Sequence, residues 1–273
     1  MKISKIGVLT AVLSVIFLSS AGTYAKPFEG LWFNESGSDI KDALPLGNGR
    51  QGAMVCGGVE QERLILNEIS LWSGSKQDAD LENAYEHLDD IRKLLFEGQN
   101  EKAFELVEKY IRCRLPGTGS GDSPDYQYGS YQGLGELRLA FGAGEFENYR
   151  RQLDFTTAVA TVTYKQNGIN FKREVFVTEP GQAVVTRLTA DRAGQISFTA
   201  ELDRSAHRQM STISNDTILM NGQLNNGVDG KGMKYSAMAR AVNEGGSVSS
   251  NSGKLIVKGA DAVTALDKGR SWI

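Results

Sequence analysis

Apolar and polar positions alternate along most of the chain with the period of a β-strand. Leu137, Leu139 and Phe141 interleave with Glu136, Arg138 and Ala140, the pattern of a strand with one buried and one wet face. Two β-branched runs, 156–164 and 169–177, flank Asn167-Gly168. That dipeptide predicts a two-residue hairpin, because both of its positions tolerate positive φ. Runs at 183–188, 196–202, 217–220, 233–242, 254–257 and 262–266 predict further strands between polar turns. Near the start, Leu31, Trp32 and Phe33 predict a short strand with Trp32 in the core. Residues 43–74 read as a loop, a strand, a tight turn, a second strand and a polar-aromatic exit. Gly47, Asn48 and Gly49 suit the loop. Residues 53–56 suit a buried strand, 59–62 a solvated turn and 63–66 the returning strand.

The period changes once. Leu88, Ile91, Leu94 and Leu95 fall at helical spacing within 80–96, and Gly98 stops that helix. Asn100 is placed to cap a second helix, with Ala103, Leu106, Val107, Tyr110 and Ile111 on one face. Residues 114–130, rich in Gly, Ser, Asp and Pro, make a loop that is long for a compact domain. The fold class that follows is mainly β: a large antiparallel β-sandwich, supersandwich-like, with a two-helix insertion. It occupies residues 26–266 as one domain.

Composition adds little to this and excludes some partners. Thirty-one glycines against five prolines in 273 residues fit a fold with many turns. A net charge of −3 leaves no basic footprint for nucleic acid. Residues 1–25 have the form of a secretory signal: Lys2 and Lys5, an apolar run over 7–18, then small residues with Thr23 and Ala25 placed for cleavage after Ala25. An uncleaved anchor is the alternative. The run is short for a membrane span, and no later stretch is long enough. Export permits a disulfide between Cys56 and Cys113, but the preferred reading is a small apolar core residue and an incidental thiol. Two cysteines alone make no structural zinc site.

Several motifs occur in order. They are ALPLGNGR over 43–50, GGVE over 57–60, Leu66-Asn67-Glu68, Leu71-Trp72-Ser73-Gly74, YQGLGEL over 131–137, YRRQLD over 149–154 and FKREVF over 171–176. Together they resemble the opening of the glycoside hydrolase family 95 α-L-fucosidases. Gln51 stands where an apolar residue is expected, Ile69-Ser70 replaces an acidic-Thr pair, and Gly133 replaces a Pro. The resemblance implies an N-terminal β-sandwich domain, with the catalytic residues in an (α/α)6 barrel that follows it. Residues 267–273 would then begin the linker to that barrel. It further implies an exported bacterial enzyme, periplasmic or extracellular, that hydrolyses terminal α-L-fucosyl linkages in glycans with inversion. Relatives that prefer L-galactose share the same opening. The partners implied are a fucosylated glycan, met through the full-length enzyme, and the barrel itself. A free-standing carbohydrate-binding or purely structural module is the alternative.

Glycoside hydrolysis needs two carboxyl groups flanking the bond. Glu60, Glu62, Glu68, Glu136 and Asp154 are present, but no pair stands out, and the family's acid and water-positioning residues belong to the barrel. No catalytic residue is assigned. Arg50, Asn67, Glu68 and Trp72 are assigned a place facing the substrate or the barrel. An aromatic face packs on a sugar ring, and amides and carboxylates bond its hydroxyls. An interdomain packing cluster is the other reading. Gly47, Gly49 and Gly52 match G-x-G-x-x-G, but a strand-like run follows where a helix is needed, so they mark a tight turn. His87, expected on the helix surface, and His207 lie far apart, so no metal is expected, and no cofactor. No G-x-S-x-G elbow is present. Asn34 and Asn215 fit the glycosylation pattern, which carries no weight in a bacterial protein.

Overall fold

The computed structural model describes residues 28–74, 81–111, 129–226 and 229–272. The expected leader, Cys113 and most of the 114–130 loop lie outside them. Four strands come first: β1 (Gly30–Phe33), β2 (Leu44–Gly47), β3 (Gln51–Val55) and β4 (Gln61–Glu68). Two helices follow, α1 (Leu88–Phe96) and α2 (Asn100–Tyr110). The chain returns to strands with β5 (Gly135–Ala140), β6 (Phe146–Asp154), β7 (Val159–Gln166) and β8 (Ile169–Thr178). Next are β9 (Ala183–Ala190), β10 (Ile196–Asp203), β11 (Gln209–Ser214) and β12 (Thr217–Gln223). Last come β13 (Lys234–Glu244), β14 (Ser247–Asn251), β15 (Lys254–Ala260) and β16 (Ala262–Trp272).

The strands form a nine-stranded sheet, β1-β6-β7-β8-β9-β16-β13-β12-β11, and a seven-stranded sheet, β14-β15-β10-β5-β4-β3-β2. The strand pairs are antiparallel, and the two inner faces share one apolar core. Leu64 and Leu66 of β4 and Leu137 and Leu139 of β5 meet Val175, Ile218, Met220 and Ala237 of the other sheet there. The mainly β sandwich with a helical insertion is therefore what the chain builds. Asn167 and Gly168, at φ 52° and 75°, join β7 to β8 as the two-residue turn that dipeptide predicts.

Local expectations fail where phase or edge position overrides composition. The turn expected over 59–62 is shorter, and β4 begins at Gln61. Its period of two then turns Glu62, Leu64, Leu66 and Glu68 inward, so Glu62 is fully buried instead of solvated. Trp32 is 56% exposed, because β1 is an edge strand and Trp32 stacks on Arg150 on the outer side, 4.7 Å from its guanidinium. Asn100 is the first residue of α2 and not its cap; the cap is Gln99, without a side-chain bond. The first helix starts later than expected, at Leu88 after a short 3-10 turn over Ala84–His87. His87 stacks on Tyr110, with ring centroids 3.6 Å apart. Residues 267–272, assigned to a linker, instead continue β16, and Lys234↔Trp272 closes its register with β13.

Candidate functional site

The four residues assigned to the substrate or barrel side come together where β3 begins and β4 ends. Pairing Gln51↔Glu68 and Gly52↔Asn67 sets Arg50 beside the exit of β4. The chain then turns tightly, with Ile69 N–H donating to Arg50 O and Leu71 N–H to Glu68 O. Residues 72–73 run alongside 130–131: Trp72 bridges Tyr131, and Ser73 N–H donates to Ser130 O.

Glu68 is buried, and its carboxylate is saturated. Oε1 accepts from Arg50 Nε at 3.2 Å. Oε2 accepts from Ser70 N–H at 3.1 Å, Ser70 Oγ at 2.7 Å and Ser271 Oγ at 2.9 Å. It ties β4, the turn and β16 together and offers no free lone pair of consequence. The exposed part of the cluster is a shelf. Trp72 and Tyr131 are 48% and 43% exposed and meet edge to face at 5.6 Å. Tyr131 Oη donates to Asn67 Oδ1, and Trp72 Nε1 to Ile69 O at 3.3 Å. Burial, with the Glu68 charge nearby, pushes the Tyr131 phenol above its ordinary value. Arg50 stands half exposed at the rim. Such a shelf can stack a sugar face and bond its hydroxyls.

Sequence reasoning missed Tyr131, Ser70 and Ser271 as members of this cluster. Tyr131 opens one of the motifs, which was the available signal. Ser271 had none, because its segment looked like a linker.

The other four carboxylates that the sequence offered as an acid–base pair are also committed within the chain. Glu62 is bound by Arg173, by Gly57 N–H at 2.8 Å and by Arg63 N–H at 3.0 Å. Burial pushes its carboxyl upward, and Arg173 with the two N–H donors pulls it back. Glu136 accepts from Arg63 and Arg138, and Arg63 is the larger cause of its lowered pKa. Asp154 accepts from Thr156 N–H, and Glu60 from Gly144 N–H. Cys56 is a free, buried thiol whose pKa is pushed up to about 11, first by burial and then by the Glu62 charge. It is a core residue, not a nucleophile. No group of three or more His, Cys, Asp or Glu that could hold a metal occurs among the described residues. No described helix is long and apolar enough to cross a membrane. The Gly47–Gly52 turn closes β2 on β3, with Asn48 Oδ1 accepting from Arg50 and Gln51 N–H.

Against known proteins, a family model described as "Glycosyl hydrolase family 65, N-terminal domain" matches residues 31–269. The chain belongs to this family. The matched family carries the number 65 where the motifs pointed to 95; the domain itself, the N-terminal part of a glycoside hydrolase, is the one they indicated. The chain is 32% identical over 260 residues to "Alpha-L-fucosidase 2" of Arabidopsis thaliana, covering 86% of this chain and 29% of that protein. It is 28% identical over 238 residues to "Probable alpha-fucosidase A" of Aspergillus niger, covering 82% of this chain and 28% of that one. The glycosyl hydrolase domain thus spans less than a third of these relatives. A solved structure titled "Putative kojibiose phosphorylase from human microbiome" shares its fold at TM-score 0.50 and 10% identity, over 90% of this chain and 33% of that one.

Proposed function

We propose that the chain is the N-terminal, non-catalytic sandwich of an exported glycoside hydrolase that removes terminal α-L-fucosyl residues with inversion. The observation that carries this reading is the fate of the five candidate carboxylates: Glu60, Glu62, Glu68, Glu136 and Asp154 each hold a bond within the sandwich, while Asp267 is sealed in the core with no second carboxyl bonded to it. An acid–base pair is then the contribution of the rest of the protein. Identity to two fucosidases supports the choice of sugar. In this reading the shelf of Trp72, Tyr131, Asn67 and Arg50 faces the catalytic barrel and borders its sugar pocket.

The test is release of L-fucose from a fucosylated oligosaccharide by the purified chain. No release above buffer is expected, and release proportional to protein would overturn the non-catalytic assignment. In the longer protein, NMR of the first product should show the anomer opposite to that of the substrate.

The half-exposed Trp72–Tyr131 pair supports a second reading, a module that holds a fucosylated glycan without cleaving it. Its mark would be a saturable change in tryptophan fluorescence with glycan that disappears in Trp72→Ala.

A further inference from the structure

A second concave site lies away from the Glu68 shelf, between the sheets where β5 ends, β10 begins and the β7–β8 hairpin turns. It encloses about 210 Å³. Phe141, Phe171, Ile169, Leu188 and Ile196 supply its apolar lining. Phe171 is backed by Tyr164, whose ring stacks on it at 5.2 Å and 17°. Arg173 is part of the lining, only 1% exposed, with its guanidinium 4.9 Å from the Phe141 ring. Its terminal nitrogens are bound to Glu62 and Gly58 O, but its Nε–H is buried without a partner. A buried donor left unpaired costs free energy until something accepts from it.

The remaining polar groups define what fits. Gln166 and Gln195 use their amide N–H groups on Gly144 O and Ala193 O, which leaves each Oε1 able to accept. Ser197 Oγ accepts from Gly259 N–H at 2.9 Å, which leaves its own proton to donate. Charge in the cleft is balanced: Arg173 pairs with Glu62, and Lys172 with Glu174 at 2.6 Å. An anion therefore finds no uncompensated cation. The volume is below the ~300–1,000 Å³ of sites for drug-sized molecules, so it suits a single ring.

We infer that this cleft binds one neutral, polyhydroxylated ring, a monosaccharide unit. Its apolar face lies on the aromatic wall, and its hydroxyls pair with Ser197 and the two glutamine oxygens. The inference rests on the chemistry of this cleft and does not depend on the fucosidase reading.

Saturation-transfer NMR of the full chain with D-glucose, D-galactose and L-fucose tests it, with benzoate as an anionic ring of similar size. Transfer to ring protons of at least one sugar is expected. Gln195→Ala removes one rim acceptor without touching the core, and Phe171→Leu keeps apolar volume while removing the aromatic face. Each should weaken the sugar by roughly threefold to tenfold, the loss of one contact of about 1 kcal/mol. Trp72→Ala should change nothing, which separates this site from the shelf. Absence of transfer to all three sugars, binding unchanged in both cleft variants, loss of binding in Trp72→Ala, or preference for benzoate would each overturn the inference.

Discussion

Asp267 is the residue whose chemistry conflicts most with its position. It is 1% exposed on the inner face of β16, between Val184 and Ala239 in the ladder, and neither carboxyl oxygen has a hydrogen-bond partner. Thr186, two residues along β9 from Val184, carries another buried hydroxyl without a partner. Burial alone pushes the Asp267 carboxyl from its ordinary 3.8 up to about 8. The sign of the linkage follows. Below about pH 4 the group is protonated both folded and unfolded, and it adds no pH dependence. As pH rises, the unfolded chain ionises first, so stability falls until the folded carboxyl itself ionises near pH 8. The loss across that window is on the order of 5 kcal/mol. Asp267→Asn keeps the shape and removes the ionisation. Urea midpoints measured from pH 4 to 9 should fall steeply for the parent chain and stay nearly flat for the variant. Parallel curves would mean that Asp267 is ionised or solvated in the fold.

At the scale of elements, Gln51 explains a departure that the sequence could only register. β9 pairs with β16 only from Ala262 to Asp267. Beyond that point the β9 side of β16 has no strand beside it, and Gly269 is served by the Gln51 side chain. Gln51 Nε2 donates to Gly269 O at 2.8 Å, and Gly269 N–H donates to Gln51 Oε1 at 3.3 Å. The amide thus acts as a one-residue strand that ties the two sheets together, and an apolar residue there would orphan two buried backbone groups. Gln51→Leu should destabilise the domain by about 2–4 kcal/mol, read as a lower denaturant midpoint at unchanged slope. A neutral result would mean that water replaces the amide. The same contrast marks what was legible. Strand alternation and the Asn167-Gly168 turn follow from local pattern, and they gave the sandwich and its hairpins. Glu62 looked solvated because its inward phase depends on where β4 starts, and Arg173, which binds it, lies 111 residues away. Arg50, Asn67 and Trp72 were placed near one another by short spacing, whereas Ser271 joined them only through a contact 203 residues distant.

For the whole molecule, β16 is the strand on which both sheets depend. It lies between β9 and β13 inside the nine-stranded sheet, and its last third reaches the seven-stranded sheet through Gln51 and Glu68. A boundary at residue 266 therefore cuts through structure. A chain ending at Leu266 loses the pairing of Asp267–Trp272 with β13, the Gln51 clip and the Ser271 bond to Glu68. It also frees the inner flank of β13, a long edge that is prone to pair with other chains. The truncated chain gains one benefit, removal of the buried Asp267 carboxyl, which is largest at high pH. Comparison is cleanest near pH 4, where that carboxyl is neutral in the fold and only about half ionised in the unfolded chain, so its contribution is small. There the losses dominate, and calorimetry should show a melting temperature lower by roughly 10 °C, the scale of a few kcal/mol in a domain of this size. Aggregation on heating should rise as well. An unchanged transition at pH 4 would return residues 267–272 to the status of a linker, and the Glu68 cluster would then have to hold its geometry without Ser271.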